Sequence, residues 1–344
     1  MDAAAKIDRH AYGLFKGVDF QINAGIILFI HWIKDATSVR LEGEDDIEIR
    51  FKDGRGVYAQ AKAATHPDTF GDTNRLRAAF ETISENVIRE DCAYAVYVTN
   101  DQEPFGKRIS SSQFLVPCTY FSYNELPKAV RKKIDQLLKR YGVEAKFAPS
   151  VALSVFQFMG EDDNTRYSVV LQEIHKLMQD IETGRYDFFN EEIVRGTWGS
   201  MLLASAQDPS DAAHVSKADF MWVLVAGLCG RPDESRWEEQ YDKDEIALLR
   251  TRYDQVIKSA SNRFATVTKV VADFESHCPS GMGKNAKQQR DEFIDLRASA
   301  YIDDLGLSEC PEPDAIAVCG EVLRKILVRQ EQIQAVKRMA CLED

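Results

Sequence analysis

The sequence predicts two parts, an α/β domain over residues 1–150 and an all-α domain over residues 151–344. Three observations carry this reading. Period-two strand signals and a hairpin turn fall before residue 150. Beyond it, apolar residues recur at helical spacing and strand signals fade. With 344 residues and 44% hydrophobic composition, the chain can fill two cores of ordinary size.

The elements follow in order. Residues 18–35 put Phe20, Ala24, Ile27, Leu28 and Trp32 on one face, which predicts a helix. Val39 to Leu41 leads into a strand at Ile47 to Phe51, where Ile47, Ile49 and Phe51 alternate with Glu48 and Arg50. Asp53-Gly54 is a hairpin signal, and Val57 to Ala61 is the returning strand. Thr73 to Arg89 reads as a helix with Leu76, Phe80, Ile83 and Val87 on one face. Tyr94 to Val98 reads as a buried strand ending in Thr99-Asn100, and Phe114 to Phe121 as another strand. Leu126 to Tyr141 is a basic helix carrying Lys128, Arg131, Lys132, Lys133, Lys139 and Arg140. Helical segments are then expected at 165–183, 188–205, 216–229, 244–277, 284–305 and 312–340, with Phe220 to Leu228 and Trp222 in a helical core.

Several function classes drop out. The longest apolar patch, Ala24 to Trp32, falls short of the roughly 18 apolar residues of a membrane span. The N-terminal residues lack the apolar core of a signal peptide, so a cytoplasmic protein is expected. The seven cysteines form no CxxC pair and are read as reduced, mostly buried thiols. Gly281 to Asn285 lacks the first glycine and the Ser/Thr of a phosphate loop and reads as a helix connection. His31 reads as a packed histidine, and the His277-Cys278 pair has no partner spacing for zinc. The first 150 residues hold 21 Lys+Arg and 21 Asp+Glu, so the net charge of −12 falls on the remainder. Nucleic-acid contact is therefore expected in the N-terminal part.

The segment from Glu42 to Lys62 carries the chemistry. Asp46 precedes the first hairpin strand, and Gln60 and Lys62, two apart near the end of the second, face one side of the sheet. A carboxylate and a carbonyl oxygen can hold a divalent cation, and a lysine beside them can bind phosphate. A solvated acidic turn with a surface lysine is the competing reading.

The hairpin resembles the PD-(D/E)xK restriction-endonuclease-like superfamily in its QxK variant. The ordered set of Gly17 to Gln21 opening a helix, Glu42, Asp45-Asp46, Gln60-Ala61-Lys62 and Val98 to Asn100 closing a strand is similar to one branch of it. That branch is the double-stranded DNA nuclease domain of bacterial antiphage effectors, found in cyclic-oligonucleotide (CBASS) systems and in the Lamassu nuclease subunit. The resemblance spans roughly residues 10–125. It implies a restriction-endonuclease-like fold, with Asp46 as main metal ligand, Gln60 at the second ligand position and Lys62 as catalytic lysine. Gln21, Glu42 and Asp45 are implied as supporting residues. Which of Glu44, Asp45 and Asp46 meets the metal is left open, because a bulge would shift the register. The implied cofactor is Mg²⁺ or Mn²⁺, and the implied substrate is double-stranded DNA. Lys128, Arg131, Lys132 and Lys139 would track phosphates or form a solvated face. An SMC-like ATPase and a small accessory subunit are the partners a Lamassu-like effector implies, with activation by self-association. A ligand-gated CBASS-type nuclease, or a non-enzymatic helical protein with a degenerate nuclease domain, are the alternatives.

Overall fold

The computed structural model describes residues 2–64, 73–106, 109, 112–115, 117–158, 162–181, 190–208, 210, 213–228, 237, 241–277, 286–328 and 330–342. Two compact units divide the chain. The first comprises Met1–Asp180 and Asn190–Phe220, the second Ile181–Phe189 and Met221–Asp344.

The first unit opens with α1 (Asp2–His31), β1 (Ala36–Leu41), β2 (Ile47–Phe51), β3 (Gly56–Lys62), α2 (Thr73–Asn86) and β4 (Cys92–Thr99). It continues with β5 (Cys118–Ser122), α3 (Lys128–Arg140), β6 (Val151–Phe156), α4 (Asp163–Gln179), α5 (Glu191–Gln207) and β7 (Val215–Ser216). Helix α6 (Lys217–Leu228) starts in this unit and ends in the second.

The seven strands form one mixed sheet in the order β5-β6-β4-β3-β2-β1-β7. β1, β2 and β3 are an antiparallel meander, and Gly54 at φ 84° supplies the left-handed turn residue between β2 and β3. β3, β4 and β6 run parallel, so each connection must cross a sheet face, and α2 and α3 make those crossings.

Alternation along β4 assigns the two faces. Ala95 and Tyr97 join Leu76, Phe80 and Ile83 of α2 and Val130, Ile134 and Leu137 of α3 in one core. Tyr94, of opposite parity, stacks on Trp32 of α1 with centroids 5.9 Å apart, and Phe20 of α1 stacks on Phe156 of β6 at 5.0 Å. α4 and α5 lie with α1. Tyr167 donates to Asp19 at 2.9 Å, and the Trp198 indole N–H donates to the Phe220 carbonyl at 2.9 Å.

Three sequence expectations change. The first unit runs past residue 150, because Val151–Phe156 is a strand between β4 and β5. All six of its residues are buried, which removes the alternation that marks a half-exposed strand. α1 spans Asp2–His31, so Gly17 to Gln21 lies within a helix rather than opening one. The strand expected at Phe114 to Phe121 is a 3-10 turn at Ser112–Leu115 followed by β5. The residues beyond 150 that join this unit bring 4 Lys+Arg and 10 Asp+Glu, which moves it from neutral to −6.

In the second unit the described elements are helical: Lys243–Asn262, Phe264–His277, Ala286–Arg297, Glu312–Leu327 and Gln330–Ala340. The long segments expected at 244–277 and 312–340 are each two helices. The first breaks where Arg263 turns extended at ψ 117°. Val318, Leu323 and Ile326 of Glu312–Leu327 are fully buried, and this helix packs on Lys243–Asn262, Phe264–His277 and Ala286–Arg297. Among the described residues no helix is long and apolar enough to cross a membrane.

Candidate active site

The geometry starts from register. Ile47 pairs with Ala59, so Asp46, one step before β2, stands beside Gln60 and Ala61 near the end of β3. The Asp46 carboxylate accepts from the Gln60 side-chain amide and from the Ala61 N–H at 2.9 Å. The Lys62 ammonium lies 3.8 Å from the same oxygen. Gln60 is buried, Asp46 is mostly so, and a third of the Lys62 side chain is open to solvent. The cluster is thus a fixed carboxylate and amide with one accessible cation, held on two strand ends.

The three consecutive acids separate by partner. Glu44 is exposed and ion-pairs with Arg89. Asp45 is buried; one of its oxygens accepts from the Asp46 N–H at 2.8 Å and the other from the Asn86 amide at 2.6 Å. Burial pushes the Asp45 carboxyl up to about 7; the Asp46 N–H opposes this, the Asp46 and Glu42 charges add to it, and Lys62 counters it. Asp46 is therefore the one acid of the three that meets Gln60 and Lys62. Glu42 is exposed and holds a left-handed φ of 50° at the entry to the loop, with its N–H bonded to the Asp46 carbonyl at 3.1 Å.

The exit from β3 is fixed from β4. The Thr99 hydroxyl donates to the Lys62 carbonyl at 2.9 Å. The Asn100 side chain accepts from the Ala64 N–H at 2.6 Å and donates to the carbonyls of Ala64 at 3.1 Å and Phe158 at 2.9 Å. These bonds anchor the backbone on which Lys62 stands.

Other expected residues divide. Gln21 is half-buried, one turn before Gly25 on α1 and on the same face. Gly25 packs beside Leu41 and Ile47, which places Gln21 toward the site end of the sheet. Lys128, Lys132 and Lys139 are exposed, and the Arg131 guanidinium lies 6.0 Å from the centre of the Tyr123 ring. These residues ride on α3, which packs beside α2, whereas α2 itself packs on β3 and β4. His31 stacks on Tyr120 at 4.1 Å. Of the five described free cysteines, Cys319 alone is buried and Cys341 is exposed. Gly281 to Asn285 and Cys278 lie outside the described residues.

A scan against protein-family models, a search of curated proteins and a search of solved structures each find no match.

The residues offer two oxygen donors of the kind a small hard cation takes. Asp46 offers a carboxylate, and rotation of the Gln60 amide by half a turn exchanges its nitrogen for a carbonyl oxygen at the same place. Oxygen donors of this kind suit Mg²⁺ or Mn²⁺, which is often held by one or two carboxylates while retaining waters and substrate phosphate. Among the described residues no three His, Cys, Asp or Glu side chains converge. Any such ion here would rest on the carboxylate and amide pair. Asn86, Arg89 and their bonds to the acidic loop were not legible beforehand. An Asn in the last turn of an amphipathic helix carries no signal of a contact 41 residues back.

Proposed function

We propose that the chain is a metal-dependent endonuclease of double-stranded DNA, restriction-endonuclease-like in fold, and the effector of a bacterial antiphage system. The observation that carries this is the convergence of Asp46, Gln60 and Lys62 on neighbouring strand ends, with Lys62 3.8 Å from the Asp46 carboxylate. In this reading Asp46 and Gln60 hold Mg²⁺ or Mn²⁺. The ion, when bound, supplies neutralisation of phosphate charge and a lowered pKa for its water. Lys62 places its ammonium at the phosphate oxygens, where negative charge grows as the phosphodiester is attacked. The Ala61 N–H fixes the carboxylate, so little reorganisation accompanies binding.

The helical second unit supports docking to partner subunits, here an SMC-like ATPase and a small accessory subunit, over the strand-containing sensor of a ligand-gated nuclease. A nuclease without sequence preference must be restrained, and release followed by self-association is the proposed route to activity.

The test is cleavage of supercoiled plasmid with Mg²⁺, alone and with the partner subunits. Lys62→Ala and Asp46→Ala should each lose at least about a hundredfold in rate, as removal of a charge-stabilising group does. Chelation by EDTA should abolish cleavage. Equal rates for wild type and Lys62→Ala would remove the assignment.

A further inference from the structure

The last turn of α2 and the turn after it grip the two residues that precede Asp46. The Asn86 amide donates to the Asp45 carboxylate at 2.6 Å, and both side chains lie in the interior, 5% and 6% exposed. The other Asp45 oxygen accepts the Asp46 N–H at 2.8 Å. Three residues further along, Arg89 pairs with Glu44. The nitrogen end of Asn86 faces this oxygen, and with Asp45 ionised both of its oxygens accept. Removal of Asn86 takes the donor from a carboxylate oxygen that lies in the interior.

We propose that Asn86 is a positioning residue for the cation site. Through Asp45 it holds the N–H of Asp46, and with it the direction in which the Asp46 carboxylate leaves the backbone toward Gln60 and Lys62. This rests on the reading of Asp46 as a metal ligand. The contact links a helix, formed after β3 in the chain, to a loop formed before it. Partners of metal ligands commonly hold affinity up by ten- to a hundredfold, and Asn86 acts one link further out.

The experiment is a Mn²⁺ titration of the full-length protein followed by electron paramagnetic resonance. The proteins compared are wild type, Asp46→Ala, Asn86→Ala, Asn86→Ser and Ile83→Val. Ile83 is fully buried on α2 in the core shared with α3, so its variant weakens the helix packing while leaving the Asn86 to Asp45 bond in place. Wild type should bind one ion saturably and Asp46→Ala should not. Asn86→Ala should bind about tenfold more weakly, Asn86→Ser by less, and Ile83→Val as wild type does despite a lower melting temperature. Wild-type affinity in Asn86→Ala, with binding lost in Asp46→Ala, overturns the positioning role alone. Equal binding by wild type and Asp46→Ala, or none by wild type, overturns the metal reading and the positioning role together. An affinity loss in Ile83→Val matching that of Asn86→Ala also overturns the proposal, because general destabilisation then accounts for both. Should Asn86→Ala fail to fold, Asn86→Ser decides by the same criterion.

Discussion

At the scale of the residue, the hairpin face that carries Arg50 and Tyr58 is ruled by Asp91. Its carboxylate accepts from Tyr58 at 2.6 Å, Arg50 at 2.8 Å and Arg89 at 3.1 Å. Burial pushes the Asp91 carboxyl up, but the bonds from Tyr58, Arg89 and Arg50 outweigh it and hold the group well below the usual carboxylate range. The folded value lies under the unfolded one, so this stabilisation is complete above roughly pH 4 and fades as pH falls toward the folded value. The stability gap between wild type and Asp91→Asn in urea unfolding should therefore narrow below about pH 4. Tyr58 is fully buried, and Tyr58→Phe removes one donor from the group. It should cost about 1–2 kcal/mol at pH 7 in the same measurement.

At the scale of the element, the hairpin depends on its turn. Gly54 sits at φ 84°, and a Cβ there would meet no neighbouring atom, so backbone strain alone sets the cost of a substitution. Gly54→Ala should lower stability by about 1 kcal/mol. The turn was readable because Asp-Gly between alternating strands names its own conformation. β2 and the helices α2 and α3 were readable for the same kind of reason, since their apolar residues recur with a period. β3 and β4, buried along most of their length, were readable from the turn before β3 and the apolar run of Tyr94 to Val98. Val151–Phe156 was not, because it has no polar alternation and no turn signal names it, although five apolar residues around Ser154 follow Pro149-Ser150. The site shows the same division. Asp46, Gln60 and Lys62 are close in sequence and joined by a hairpin, so spacing alone brought them together. Asn86 reaches Asp45 only through the parallel crossover, and no local pattern encodes such a contact.

At the scale of the whole molecule, β6 decides where the first unit ends. It is paired to β4 on one side and β5 on the other, and among the described residues β5 has no other strand neighbour. A fragment of residues 1–150 lacks β6 and should fail to fold, whereas a fragment of residues 1–228 should give a cooperative thermal transition by circular dichroism. The acidic residues gained beyond 150 also change the electrostatic argument. With a net charge of −6, the unit as a whole repels a polyanion, so the proposed contact with DNA rests on the local placement of cations such as Lys62.

The Asn100 side chain imitates one more residue of strand. Its amide takes both the N–H and the C=O of Ala64, as a neighbouring peptide would, and ties in Phe158 as well. The Ala64 amide hydrogen should accordingly exchange with solvent deuterium as slowly as those of β3, and quickly in Asn100→Ala. The mechanical meaning is a clasp: two residues beyond Lys62 the chain leaving β3 is tied to the chain leaving β4, so the backbone that carries the Lys62 ammonium is held on both sides.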